Sequence, residues 1–132
     1  MKLPEGVTLL IVEDEAIVLD LLRDALADAG FQIVSAANGE RGMAMLDDSD
    51  IVLAGLITDI RLGGEVSGWD VARHAREAVP SFPIVYMTAD SAADWAANGV
   101  PNSILVQKPF AMAQVVTAIS TLLNANATQP PA

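Results

Sequence analysis

A chain of 132 residues is the size of one domain, and its 52% apolar residues suffice for a core. Seventeen acids against seven Lys and Arg leave a formal charge of −10, which repels phosphate backbones and excludes non-specific nucleic-acid binding. With no cysteine and only His74, a disulfide framework, a thiolate metal site and a histidine-rich zinc site are excluded too.

Residues 1–6 do not begin a signal peptide, because the apolar run from Val7 stops at Glu13 with no small-residue cleavage site after it. Residues 7–12, short, apolar and β-branched, read as a strand buried on both faces. From 16 to 29, Val18, Leu21, Leu22, Ala25, Leu26 and Ala29 recur at helical spacing, and Gly30 is a natural stop. Residues 31–36 form a second strand candidate. Asn38-Gly39 signals a turn ahead of a short helix with Met43, Ala44 and Leu46, and Asp47-Asp48-Ser49-Asp50 breaks it. The apolar run 51–58 has its strand in the later half and delivers Asp59 at its end.

Beyond the Gly-rich loop Gly63-Gly64-Glu65-Val66-Ser67-Gly68, a helix over 71–79 closes before Pro80 and Pro83. Residues 84–87 are a fourth strand ending at Thr88. Residues 91–98 make a weak, Ala-rich helix stopped by Gly99 and Pro101, and 104–106 a fifth strand ending at Lys108-Pro109. Val115, Val116, Ile119, Leu122 and Leu123 mark a last helix over 112–123. The polar residues 124–132 predict a frayed tail, giving a domain over 1–124 and a flexible segment over 125–132. No apolar stretch approaches the roughly 20 residues of a membrane span, so a cytoplasmic protein without membrane contact is expected.

Five β-α units in series imply an α/β fold, a doubly wound, five-stranded parallel sheet with helices on both faces. The flavodoxin-like strand order 2-1-3-4-5 suits them, with the site beside the first strand. In such a sheet the residues just past each strand share one edge: Glu13 and Asp14, Asp59, Thr88 and Lys108. Three carboxylates repel one another unless a cation neutralises them, and oxygen-only ligands suit Mg²⁺. Lys108 adds a point charge and Thr88 a hydroxyl donor. The set suits transfer of a phosphoryl group onto an aspartate.

These residues stand in four motifs: Val12-Glu13-Asp14-Glu15, Thr58-Asp59-Ile60-Arg61-Leu62, Met87-Thr88-Ala89 and Lys108-Pro109-Phe110. On them the sequence resembles the receiver domain of two-component response regulators, the CheY-like family, over about residues 7–123. The resemblance implies that Asp59 accepts a phosphoryl group from a sensor histidine kinase or a phosphotransfer protein. It implies Mg²⁺ on Asp14, Asp59 and the Arg61 backbone carbonyl, with Glu13 acting through water, and Thr88 and Lys108 on the phosphoryl oxygens. It also implies a cis Lys108-Pro109 bond, where sequence alone favours trans.

Three departures stand out. Glu13 occupies the first position of a pair that is often two aspartates. Gly63 stands where many receivers have Pro, in a loop longer by about one residue. Leu105 replaces an aromatic residue, common in the family, that turns inward when the threonine binds the phosphoryl group. The expected output is protein contact without an effector domain, with an unknown downstream protein, no nucleic acid, and a monomer or weak dimer. A pseudo-receiver that is not phosphorylated is the alternative. An enzyme turning over an external substrate is not expected, since a haloacid-dehalogenase-like phosphatase needs an acid where Arg61 stands. Arg61 and Asp90 flank the path of an attacking water, and a pair between them would shield the acyl phosphate.

Overall fold

The computed structural model describes residues 7–128. In chain order these form β1 (Thr8–Val12), α1 (Ala16–Asp28), β2 (Gln32–Ala36), α2 (Gly39–Asp47), β3 (Gly55–Asp59), α3 (Gly68–Ala78) and β4 (Ile84–Thr88). A 3-10 turn (Ala92–Asp94) then runs into α4 (Trp95–Asn98), followed by β5 (Ile104–Gln107) and α5 (Met112–Thr128). Every strand pair is parallel and the order is β2-β1-β3-β4-β5, as expected. Among the described residues no helix is long and apolar enough to cross a membrane.

The two-residue period of a strand divides the core into two layers. Leu9, Ile11, Ile57, Val85 and Met87 face Leu22 and Leu26 of α1 and Val115 and Ile119 of α5. Leu10, Val12, Leu56, Ile84 and Tyr86 face Val71, Ala72 and Ala75 of α3, with Met43 and Leu46 of α2 at the margin. Burial on both faces is why the central strands read as unbroken apolar runs rather than as alternating ones.

Three helix ends differ from the apolar pattern. Helix α3 begins three residues before the predicted 71, because Ser67 and Asp70 form a capping box: the Ser67 hydroxyl accepts the Asp70 amide and the Asp70 carboxylate accepts the Ser67 amide at 3.0 Å. Helix α5 continues through Thr128, where residues 124–128 were expected to fray. No Gly or Pro interrupts that stretch, and the Asn126 side chain donates to the Ser81 carbonyl at 2.8 Å, holding it against the loop before β4. The predicted helix over 91–98 is split between the 3-10 turn and the four residues of α4. Expectations for residues 1–6 and 129–132 lie outside the described residues.

One glycine decides how β3 hands over to α3. The Gly68 amide donates to the Ile60 carbonyl at 2.8 Å, and a Cβ at Gly68 would collide with the carbonyl oxygen of Asp59. Helix α3 therefore starts against the backbone that carries Asp59. Gly68→Ala forces that backbone aside, and overpacking of this kind costs about 1–3 kcal/mol. The expected result is a lower urea midpoint with an unchanged m-value in equilibrium unfolding.

Candidate functional site

The sheet register assembles the site. Val12 pairs with Thr58, so Glu13 arrives beside Asp59. Asp59 pairs with Met87, which puts Thr88 one residue further along the next strand. Thr88 pairs with Gln107, and Lys108 follows. Residues from four strands thus meet at the carboxyl edge of the sheet, where open α/β sheets hold ligands.

Two of the carboxylates are buried: Glu13 is 1% exposed and Asp59 5%. The Lys108 ammonium lies between them, donating to Asp59 Oδ2 at 2.8 Å and Glu13 Oε1 at 3.2 Å, with Glu15 Oε1 at 4.0 Å. The second Glu13 oxygen accepts the Asp14 amide at 3.0 Å. Burial, reinforced by the charge of Asp59 and a hydrogen bond to it, raises the Glu13 carboxyl to about 7, against the opposing pull of Lys108. Burial works to lower the Lys108 pKa, but the hydrogen bond to Asp59 and the charges of Asp59 and Glu13 outweigh it, so the pKa is raised. One cation thus faces two buried acids and a third, exposed one, Glu15.

Glu13, Asp14 and Asp59 each offer a carboxylate oxygen, and these oxygens lie within 4.8 Å of one another. An all-oxygen, anionic donor set matches Mg²⁺, which takes one or two carboxylates and keeps several waters. The Arg61 carbonyl belongs to the loop two residues past Asp59. In that loop Gly63 has φ +72°, a conformation closed to proline, so the chain takes a different path here from one with Pro at this position. A Cβ on Gly63 would come within 3.5 Å of Asp14 Oδ2.

Thr88 Oγ1 accepts two backbone amides, from Ser91 at 2.7 Å and Asp90 at 3.2 Å. A hydroxyl accepts two bonds and donates one, so its proton is left for an acceptor in the site. Beside it the Lys108-Pro109 bond is cis, as the resemblance implies. At the rim Arg61 Nε lies 3.1 Å from Asp90 Oδ1, with side chains 74% and 53% exposed. Such exposed pairs are worth about 0–1 kcal/mol, so this one adds little to stability.

The predicted site residues Glu13, Asp14, Asp59, Thr88 and Lys108 therefore gather at one edge. Sequence reading missed Glu15 as a neighbour of Lys108, a place that only the turn after β1 determines. His74 lies elsewhere, with Nε2 2.7 Å from Asp47 Oδ1, tying α3 to α2. Trp69 packs on Tyr86 with ring centroids 4.8 Å apart, and Trp95 Nε1 donates to Ser103 at 3.0 Å.

A Glu13 carboxyl that titrates near 7 in the folded chain, against 4.5 when exposed, holds its proton longer folded than unfolded. Stability is then greatest below about 4.5 for this group and is lost as pH rises through about 7. Urea midpoints measured in EDTA are expected to fall across that window. Millimolar Mg²⁺ is expected to offset the loss, since a cation favours the ionised acids.

Residues 9–120 match the response regulator receiver domain family. The chain is 38% identical to the transcriptional regulatory protein CusR of Escherichia coli K12 over 124 residues, 90% of this chain and 52% of CusR. It is 36% identical to the probable transcriptional regulatory protein SilR of Salmonella typhimurium over 121 residues, 88% of this chain and 50% of SilR. The chain thus spans about half the length of these relatives, and their names lend no support to the expectation that nucleic acid is absent from its partners. A response regulator receiver protein from Sinorhizobium medicae WSM419 superposes with a TM-score of 0.88 at 47% identity, covering 92% of this chain and 97% of that one. The receiver domain of a sensor histidine kinase from Pseudomonas aeruginosa PAO1, whose structure has a magnesium ion coordinated in its active-site cleft, shares the fold. Its TM-score is 0.76 at 20% identity, covering 90% of this chain and 98% of that domain. With the strand order, the acid cluster and the lysine in place, the match over 9–120 makes this chain a member of the response regulator receiver domain family.

Proposed function

We propose that Asp59 accepts a phosphoryl group from the phosphohistidine of a sensor kinase or phosphotransfer protein, and that the chain passes the signal on by protein contact. The observation that carries this is Lys108 Nζ at 2.8 Å from Asp59 Oδ2, in a carboxylate that also shares the acid cluster with Glu13 and Asp14. An Asp59 oxygen attacks phosphorus, the P–N bond of the donor breaks, the imidazole leaves, and an acyl phosphate forms. Lys108 exchanges Asp59 Oδ2 for a phosphoryl oxygen, and the Thr88 hydroxyl donates its remaining proton to another. Mg²⁺ held by Glu13, Asp14, Asp59 and the Arg61 carbonyl, with Glu13 acting through water, would supply the positive charge that lets a carboxylate approach a phosphoryl group. The magnesium ion in the Pseudomonas receiver supports that assignment by analogy of fold.

The full donor set supports this reading over an interaction module that is never phosphorylated. The chain loads and loses its own phosphoryl group rather than turning over an external substrate. A second reading concerns output: because the curated relatives are transcriptional regulatory proteins of about twice the matched length, a receiver of this kind also suits control of transcription. A tagged chain offered to its partners separates the two: retention of an operator fragment favours the transcriptional reading.

Intact-protein mass spectrometry after incubation with acetyl phosphate and Mg²⁺ is expected to show one added phosphoryl group. The addition should vanish with EDTA and in Asp59→Ala; stoichiometric labelling of Asp59→Ala would sink the assignment. The Arg61–Asp90 pair stands where water must approach the acyl phosphate. The Arg61→Ala, Asp90→Ala double variant is therefore expected to lose its phosphoryl group several-fold faster than the parent, followed by the same mass measurement against time.

A further inference from the structure

Arg76 stands in the last turn of α3, half-buried. Arg61, Arg73 and Lys108 each pair with a carboxylate. Among the described residues no carboxylate lies within ion-pair distance of Arg76. Its bonds go to neutral carbonyls instead: Nε donates to Phe82 at 2.6 Å, Nη1 to Pro101, and Nη2 to Asn102 at a long 3.5 Å. A guanidinium has five N–H groups, so one on each Nη is left over. Burial lowers the Arg76 pKa, against the pull of the Tyr86 phenol. The group still carries its charge, and a charge taken out of water calls for an opposite one.

Arg76 lines a cavity of about 370 Å³, a volume that small-molecule sites share. Ser81, Asn102 and Asn126 supply its other polar groups, and Pro83, Ile104 and Leu122 an apolar wall. Among the described residues neither the Ser81 hydroxyl nor the Asn102 side chain has a hydrogen-bond partner. Asn126 donates to the Ser81 carbonyl at 2.8 Å, which ties α5 to the loop before β4 across the cavity. Asn102 has φ +60°, a left-handed conformation that Asn tolerates better than most residues. Pro83 precedes β4 and Ile104 opens β5, so the cavity lies at the amino ends of these strands, while Asp59 and Thr88 close β3 and β4 at the opposite edge.

We infer that this cavity binds a small organic monocarboxylate, with its carboxylate on Arg76 and its apolar body against Pro83, Ile104 and Leu122. A planar guanidinium with N–H groups to spare matches a carboxylate, and the pair gains from being partly out of water. The apolar wall selects a ligand with a hydrocarbon part over inorganic phosphate, which would desolvate that wall for no return. The formal charge of −10 selects a single negative charge over a polyanion. That field is screened beyond about 8 Å at physiological salt, so the contact with Arg76 decides binding. A bound carboxylate bridges α3, the start of β5 and α5 without touching the Asp59 edge. The inference is therefore independent of the phosphoryl chemistry proposed there.

The test titrates the whole chain with sodium benzoate and follows ¹H–¹⁵N spectra, with sodium chloride at matched ionic strength as the control and sodium phosphate as a second arm. Saturable movement of the amides of 81, 102–104 and 125–126 is expected with benzoate and not with chloride, and the thermal midpoint should rise alongside. Arg76→Gln is expected to weaken benzoate binding by about tenfold or more, the loss that follows removal of a charged hydrogen-bonding group. A parent without saturable movement overturns the inference, and so does undiminished binding in Arg76→Gln, which would leave Arg76 a staple between loops. Saturation by phosphate and not by benzoate overturns the assignment to an organic carboxylate. Should Arg76→Gln fail to fold, Ser81→Phe decides: it places a ring on the cavity lining at an exposed loop position, benzoate affinity is expected to fall several-fold, and an unchanged affinity overturns the inference.

Discussion

Glu13 and Asp59 stand on adjacent strand ends, nearly sealed from water, with Lys108 between them. Two buried carboxylates repel, and burial alone penalises each charge. Lys108 relieves part of this, but a single cation cannot balance both acids and Asp14 besides. Burial first, and then the charge of Asp59, hold the Glu13 pKa up. The folded chain thus carries local electrostatic strain at the edge where its chemistry is proposed to occur. A divalent cation among the three carboxylates would relieve it.

The rest of the architecture keeps that strain in place. Burial on both faces makes β1, β3 and β4 rigid supports for Glu13, Asp59 and Thr88. The absence of a Cβ at Gly68 lets α3 begin directly against the Asp59 backbone, so Asp59 is gripped from behind. The two amides on Thr88 Oγ1 tie the β4–α4 turn to the site, and Arg61 with Asp90 spans its rim. Each contact is modest alone. Together they tie the loops around the site to the strand ends.

Much of this was legible in the sequence because two periodicities do most of the work. Apolar runs of four to eight residues, alternating with amphipathic stretches, define the β-α series, and its parallel sheet gathers the strand ends. Asp59, Thr88 and Lys108 follow from that geometry without reference to side-chain contacts. The capping box at Ser67 and Asp70 was also present in the sequence, as a Ser followed three residues later by an acid, and sets the start of α3 better than the apolar stripe does. The continuation of α5 was less legible, since a run of Asn, Ala and Thr is neutral toward helix and its end depends on Asn126 reaching Ser81.

By itself the sequence determined the order and type of the elements, the two-sided burial of the central strands, and which residues stand at the carboxyl edge of the sheet. These follow from local hydrophobic patterning and from the single right-handed way of winding β-α units. Only the tertiary structure decided the distances: that Lys108 sits closer to Asp59 than to Glu13, that Arg61 finds Asp90, and that the Tyr86 hydroxyl meets Val100. Those contacts join residues from 14 to 95 positions apart. Their geometry is set by strand register and loop path, which depend on the packing of the whole core and leave no local trace in the chain.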